Sequence, residues 1–156
     1  MEHFADGLNE AIAEKGAPVC VGIDPVVERL PAPLREAATG RDEQAASAAL
    51  RDWVAGVIDA VEPHVPVVKF QSACFERFGP AGMAVLQGSI ELARQADLIV
   101  ILDAKRGDIG ISAEHYAVAT FDRLEADAVT VNAYLGPDTL EPFIRHAADN
   151  GGGLFA

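Results

Sequence analysis

The chain has 156 residues, of which half are hydrophobic and 23% are charged. That composition excludes a wholly disordered chain and suits one domain with a substantial core. The formal net charge of −12 disfavours nucleic acid as a partner, because an acidic surface repels phosphate backbones. A small anionic ligand would have to be held by a local positive patch.

Two features of the sequence bear on its compartment. No run of about 18 apolar residues occurs, so no membrane span is predicted, and the first residues, MEHFADGLNE, lack the pattern of a secretory signal peptide. Cys20 and Cys74 lie in apolar segments without a second Cys or a His at metal-ligand spacing. We expect two buried free thiols, which fit a reducing cytosol, and therefore a cytoplasmic protein.

Helical patterns alternate along the chain with short runs rich in β-branched residues. In chain order, the sequence predicts a helix over 4–15, a strand in APVCVGID, a helix over 43–62, a strand in VPVVKF, a helix over 80–96, a strand in LIVILDAK, a helix from a Ser112 cap to about 125, a strand in ADAVTVNAY, a helix over 137–149 and the start of a strand in GGLFA. Buried strands separated by amphipathic helices indicate βα units and a parallel sheet.

The number of units leaves two architectures open. A closed (βα)8 barrel takes about 250 residues, whereas this chain reaches only four βα units and the beginning of a fifth strand. The sequence is therefore either a smaller open sheet or the first part of a longer protein. The last apolar run reaches Ala156 without a polar stop, which favours the second alternative.

Polar side chains stand at the ends of the first four predicted strands. Asp24 ends the first, Lys69 the second, Asp103 and Lys105 the third, and Asn132 the fourth. Parallel α/β folds bind their ligands at the carboxyl ends of strands, and a βα barrel gathers those ends into one ring. We therefore expect these side chains to meet at one site.

The third strand carries the densest charge, in the segment DAKRGD. Residues two apart on a strand share a face, so Asp103 and Lys105 are expected to point the same way, with Lys69 beside them and Asp108 beyond Gly107. Such an array would stabilise a developing carbanion and let a lysine donate a proton.

Two alternatives remain from the residues alone. Asp103 and Asp108 would instead hold Mg²⁺, although the two lysines already supply positive charge. A polar loop with ordinary salt bridges is the other alternative, but surface pairs contribute only about 0–1 kcal/mol, which is a weak reason to collect charges at strand ends. No metal is predicted.

Several segments together resemble one family. VILDAKRGDIGISAEHY is similar to the active-site segment of orotidine 5'-phosphate decarboxylases, in which Asp-x-Lys-x-x-Asp follows an apolar strand. VCVGIDP resembles the first strand of the longer bacterial subgroup of that family, VVKFQSACFERFGPAGMAVL its lysine-bearing second strand, and ADAVTVNAYLGPDTLEPF its fourth. The similarity runs in order from about Phe4 to Phe155.

The resemblance implies a cofactor-free carboxy-lyase of pyrimidine biosynthesis that converts orotidine 5'-phosphate to UMP and CO₂. It implies a (βα)8 barrel, of which residues 1–156 would form a single incomplete domain, and a homodimer. Lys105 would match the proton donor, and Asp103 the carboxylate that faces the substrate carboxylate. Lys69 would match the lysine that bridges the ribose and Asp103, and Asp108 the aspartate that reaches the partner's site.

The resemblance also implies two substrate contacts in this chain and places the phosphate-binding residues outside it. Asp24 would match a ligand of a ribose hydroxyl, and Asn132 lies where the fourth strand lines the pocket. The phosphate-binding residues of the family belong to the last third of the barrel, and remote contacts of that kind help to stabilise the transition state. We therefore expect little or no activity from this chain alone. The alternatives are a Mg²⁺-dependent keto-sugar-phosphate decarboxylase or aldolase of the same superfamily, and a non-catalytic fragment.

Overall fold

The sheet has five parallel strands that lie side by side in chain order. The computed structural model describes residues 3–40 and 42–156. The strands are β1 (Cys20–Ile23), β2 (Val67–Gln71), β3 (Ile99–Arg106), β4 (Ala128–Val131) and β5 (Gly153–Phe155). The parallel sheet confirms the predicted βα units, and strands in chain order with helices between them are the arrangement of a βα barrel, which the family resemblance implied.

Helices connect the strands along one side of the sheet. They are α1 (Phe4–Lys15), α2 (Ala32–Thr39), α3 (Glu43–Val61), α4 (Ser72–Glu76), α5 (Gly79–Gln95), α6 (Gly110–Ala117) and α7 (Glu141–Asn150). Short 3₁₀ helices cover Val27–Arg29 and Pro137–Leu140, and a π-helical segment, Val118–Arg123, extends α6. Helices α1, α3 and α5 begin and end within one residue of the predicted bounds.

The sequence reasoning was wrong or silent at three helices. The predicted Ser112 cap is wrong, because α6 begins two residues earlier at Gly110, whose φ of +54° suits glycine. Helix α2 was not predicted. Helix α4 was also missed, because its five residues follow β2 directly and are too few to show a helical period.

The alternation of side chains gives the sheet two unlike faces. The outer face carries Val68, Phe70, Val100, Leu102 and Val129, all buried beneath the helices. In this core the rings of Phe70 and Phe75 pack edge to face, with their centroids 6.1 Å apart. The predicted strands therefore anchor the hydrophobic core with alternate residues, and the intervening residues are free to build the inner face.

Helix α1 packs against the sheet without contributing a fully buried residue. The Nζ atom of Lys15 donates a hydrogen bond of 2.8 Å to the carbonyl oxygen of Glu62, which precedes β2. The ring of Phe4 contacts Gly153 so closely that a Cβ atom there would lie 2.4 Å from it, and it packs edge to face on Phe155. Glycine at this position thus lets α1 rest directly on β5.

The prediction of two buried thiols is wrong for Cys20. Both cysteines are free, but Cys20 is exposed and Cys74 is half-buried. Cys20 lies on β1 at the edge of the described sheet, where it pairs with Val67 of β2. Partial burial nevertheless raises the pKa of each thiol. No helix in residues 3–40 and 42–156 is long and apolar enough to cross a membrane.

Candidate active site

Four charged side chains of alternating sign form a chain across the carboxyl ends of β1, β2 and β3. The Nζ atom of Lys69 lies 3.4 Å from Oδ1 of Asp24 and 3.0 Å from Oδ2 of Asp103. The Nζ atom of Lys105 lies 2.5 Å from Oδ1 of Asp103. The structure thus brings together four of the six predicted site residues.

Asp103 is the centre of this chain and its most buried member, with only 8% of its side chain exposed. Besides the two lysines, Gln71 donates to Oδ2 at 3.1 Å and the Thr130 hydroxyl donates to Oδ1 at 2.8 Å. Burial alone would raise the pKa of Asp103, but the hydrogen bonds from Lys105, Thr130 and Lys69 outweigh it and lower that pKa to about 2. The carboxylate is therefore ionised throughout the neutral range.

The two lysines differ in their surroundings. Burial alone would lower the pKa of Lys69, but its hydrogen bond to Asp103 and the attraction of Asp24 outweigh burial and raise that pKa. Lys69 is therefore held charged between two carboxylates. Lys105 has 64% of its side chain exposed, so its ammonium group faces the open side of the site, where a ligand would approach.

A bulge in β3 positions Lys105, contrary to the regular alternation expected from the sequence. Leu102 pairs with Val129 and Arg106 with Val131, so the register shifts between these pairs. Within the bulge Lys105 has a φ of +47°, a left-handed conformation that costs a non-glycine residue about 1–2 kcal/mol. Asp103 and Lys105 meet as predicted, but the bulged backbone brings them together. Strain of this kind concentrates at functional sites.

Arg106 anchors the far end of the bulge away from the charged chain. Its Nη2 atom lies 2.5 Å from Oε1 of Glu76 on α4, and this oxygen also accepts a 2.6 Å hydrogen bond from the Ser72 hydroxyl. Its guanidinium group also lies over the ring of Tyr116 on α6, 5.2 Å from the centroid. Helices α4 and α6 thus hold the strand end that carries Lys105.

Asp108 and Asn132 stand outside the charged chain. Oδ1 of Asp108 accepts a hydrogen bond from the backbone N–H of Ile109, and Oδ1 of Asn132 accepts one from that of Tyr134. The loops that carry them are in contact, because a Cβ atom on Gly107 would lie 2.7 Å from the carbonyl oxygen of Asn132. Both residues therefore belong to a shared loop surface beside the site.

Sequence reasoning missed two members of the site, Gln71 and Thr130. Gln71 lies two residues after Lys69 and pairs with Asp103 across the sheet, so the period of two already placed it on the inner face. Thr130 lies two residues before Asn132 on β4, and the same period indicated its face. Both residues were missed because the sequence analysis considered mainly charged side chains, and Gln71 and Thr130 are neutral hydrogen-bond donors.

The arrangement suits proton transfer and charge stabilisation. In the part of the chain that the structure describes, no group of three or more His, Cys, Asp and Glu side chains is placed to hold a metal ion. Both oxygens of Asp103 are engaged by lysines, so Mg²⁺ binding there would first have to displace them. The site instead offers an ionised carboxylate next to an exposed ammonium group.

Chain-order parallel strands with a polar cluster at their carboxyl ends define a βα-barrel protein with its site at that edge. Residues 17–156 match the sequence model of the orotidine 5'-phosphate decarboxylase / HUMPS family. The chain belongs to this family, which confirms the resemblance found in its sequence.

Individual relatives agree with this assignment. The chain is 44% identical to an orotidine 5'-phosphate decarboxylase of Rhodopirellula baltica, over 99% of this chain and 54% of that protein. It is 43% identical to the enzyme of the same name from Salinispora tropica, again over 99% of this chain and 54% of the relative. The chain thus spans about half the length of the curated relatives it matches.

Solved structures show the same fold. A Streptomyces avermitilis protein, solved as a candidate orotidine 5'-phosphate decarboxylase, superposes with a TM-score of 0.83 at 40% identity, over 99% of this chain and 52% of that one. The OMP decarboxylase of Leishmania donovani superposes with a TM-score of 0.77 at 32% identity, over 98% and 52%. The described strands are therefore the first five of a TIM-type barrel.

Proposed function

We propose that this chain supplies the Asp–Lys half of an orotidine 5'-phosphate decarboxylase, a cofactor-free carboxy-lyase that forms UMP in de novo pyrimidine biosynthesis. The observation that supports this most directly is Asp103, held between the ammonium groups of Lys69 and Lys105 at 3.0 and 2.5 Å. Residues 1–156 would form one incomplete barrel domain, and the enzyme would be cytoplasmic.

Asp103 would act on the substrate carboxylate. Because its pKa is about 2, Asp103 stays ionised when the carboxylate of orotidine 5'-phosphate arrives beside it. Two carboxylates at close range repel each other, and this repulsion disappears when the substrate group leaves as neutral CO₂. The bond from carbon 6 of the pyrimidine to the carboxylate breaks, and its electron pair stays on carbon 6.

Lys105 would complete the reaction by donating a proton from Nζ to carbon 6, and solvent would later return that proton to the lysine. An ammonium group next to the developing carbanion stabilises it before the transfer takes place. Lys69, fixed between Asp24 and Asp103, would bridge the ribose and Asp103. Asp24 would bind a ribose hydroxyl, and Asn132 would line the pocket.

A homodimer would bring Asp108 into the site of the partner. Asp108 forms no hydrogen bond or ion pair with the four charged residues of its own chain, and exposed apolar side chains lie on its loop, at the start of α6 and on the contacting loop. Ile111 is 73% exposed and, on the contacting loop, Tyr134 is 91% exposed; Ile109 and Leu135 are exposed beside them. Burial of such a surface against a second copy would remove apolar area from water.

Reconstitution of the barrel tests the proposed function. The chain is mixed with the carboxyl-terminal half of the Rhodopirellula baltica relative, and UMP formation from orotidine 5'-phosphate is measured. We expect little activity from the chain alone and decarboxylation from the mixture. Lys105→Ala should lower the rate by roughly 10²–10⁴-fold, the usual contribution of a positioned acid.

A matched control separates this loss from a general loss of positive charge. Arg51→Ala removes one exposed cation from α3 on the outer layer and should leave the rate unchanged. Full activity in Lys105→Ala would refute the assigned proton donor, and absence of decarboxylation in every wild-type mixture would refute the proposed function. Loss of the rate with EDTA would indicate the Mg²⁺-dependent alternative.

A further inference from the structure

We propose that Thr130 is a positioning residue, whose hydroxyl group fixes Lys105 and Asp103 relative to each other. The kinetic consequence of this inference rests on the proposed decarboxylase function, whereas its structural consequence does not. Thr130 lies on β4 and contacts the pair from the neighbouring strand.

The hydrogen-bond directions at Thr130 are set by its partners. The backbone N–H of Lys105 is a donor, and it lies 3.0 Å from Oγ1 of Thr130. An ionised carboxylate only accepts, so the hydroxyl hydrogen must point to Oδ1 of Asp103, 2.8 Å away. One side chain thus accepts from the main chain of Lys105 and donates to the carboxylate that binds its ammonium group.

The β3 bulge explains why a side chain is needed here. Between the pairs Leu102–Val129 and Arg106–Val131, the ladder from β3 to β4 is interrupted. The N–H of Lys105 lies within that interruption, and a backbone donor without a partner is unfavourable. The Thr130 hydroxyl takes the place of the missing ladder acceptor and supports the left-handed backbone of Lys105.

The two oxygens of Asp103 therefore have separate supports. Oδ2 accepts from Lys69 and Gln71, which both lie on β2. Oδ1 accepts from Lys105 on β3 and Thr130 on β4. Thr130 alone contacts both Asp103 and the main chain of Lys105 among the contacts of the described residues. Its loss should disturb the Oδ1 side without removing the Lys69 contact.

Paired substitutions test the hydroxyl separately from the shape of the side chain. Thr130→Val keeps the β-branched shape and removes the hydroxyl, whereas Thr130→Ser keeps the hydroxyl. In the chain itself, the Asp103 carboxyl carbon is titrated by NMR. Loss of one hydrogen bond to a charged group should raise the pKa of Asp103 by about one unit in Thr130→Val and leave it unchanged in Thr130→Ser.

Controls and kinetics complete the test. Thr39→Val removes an exposed hydroxyl from α2, a helix that contributes no residue to the charged chain. This change should leave the Asp103 titration unchanged. In the reconstituted barrel, Thr130→Val should lower kcat by roughly 10- to 100-fold with little change in KM. Thr130→Ser should restore most of that rate.

The outcomes are distinguishable. An unchanged Asp103 titration in folded Thr130→Val, or the same loss in Thr130→Ser as in Thr130→Val, would overturn the inference. If Thr130→Val fails to fold, Thr130→Ala gives the same comparison with a smaller side chain. A reconstituted barrel without decarboxylase activity would count against the proposed function, while the titration of the chain would still decide the role of Thr130.

Discussion

At the scale of one residue, the nearly buried carboxylate of Asp103 stays charged because the protein surrounds it with hydrogen-bond donors. Its carboxylate has two ammonium groups and two neutral donors as partners, so each oxygen is satisfied by the protein. A buried charge without such partners would be neutralised or would destabilise the fold. The depressed pKa is the measurable result of this solvation by side chains.

Acid should therefore weaken the fold through this residue. The folded pKa of about 2 lies below the ordinary value of 3.8, so the stabilisation is present above about pH 4 and is lost as the pH falls through 2. The full shift corresponds to about 2 kcal/mol of unfolding free energy. The free energy of unfolding, measured by urea titration, should therefore fall less between pH 5 and pH 2 in Asp103→Asn than in the wild type, by about 2 kcal/mol.

Asp52→Asn provides the comparison for this measurement. Asp52 is an exposed acid on α3 that forms no ion pair with the described residues, so its replacement removes the same charge without touching the site. Its profile should follow the wild type. Equal flattening in both variants would show that overall charge, rather than Asp103, governs the acid response.

At the scale of elements, the connection from β2 to α5 depends on a close approach of backbone segments. Helix α4 follows β2 directly, and α5 then turns back across it. A Cβ atom on Gly82 of α5 would lie 2.1 Å from the carbonyl oxygen of Phe75 and 2.7 Å from Cβ of Phe78. Glycine at this position is therefore a packing requirement of the hairpin that follows Lys69.

Two alanine substitutions on the same helix should have opposite effects. Gly82→Ala forces α4 and α5 apart and should destabilise the fold by about 1–3 kcal/mol, as overpacking does. Gly88→Ala meets no atom within 4 Å and should stabilise it by about 0.5–1 kcal/mol through helix propensity. Urea unfolding measures both, and a stabilised Gly82→Ala would contradict the close packing described here.

At the scale of the whole molecule, two surfaces of the described half-barrel each expose more than one large apolar side chain. One is the surface next to Asp108, formed by the start of α6 and the loop after β4, with Ile111 and Tyr134. The other lies beside β5, where Ile144 and Phe155 are exposed. Either place would favour association, but only the first would set Asp108 against a partner.

A pair of aspartate substitutions distinguishes these surfaces. If the proposed homodimer uses the surface next to Asp108, Ile111→Asp should shift the chain from dimer to monomer in sedimentation equilibrium, because a charge would then be buried in the interface. Ile144→Asp should leave the dimer intact. The reverse pattern would place the association beside β5 and would count against the proposed role of Asp108.

Local patterns in the sequence were sufficient for most of the architecture. The β-branched runs and helical periods predicted all five strands and the main helices, because burial of one face imposes a period that neighbouring residues display. The same patterns put Asp24, Lys69, Asp103 and Lys105 at strand ends. Family membership followed from these segments, since the motif and its spacing lie within the chain.

Tertiary structure alone decided how those side chains meet. The bulge that turns Lys105 toward Asp103, the support from Gln71 and Thr130, and the exposure of Cys20 all depend on which strand lies beside which, and in what register. A period of two specifies the face of a residue, but a bulge breaks that period locally. The partners across a sheet come from distant parts of the chain, so their contacts arise only when the strands pair.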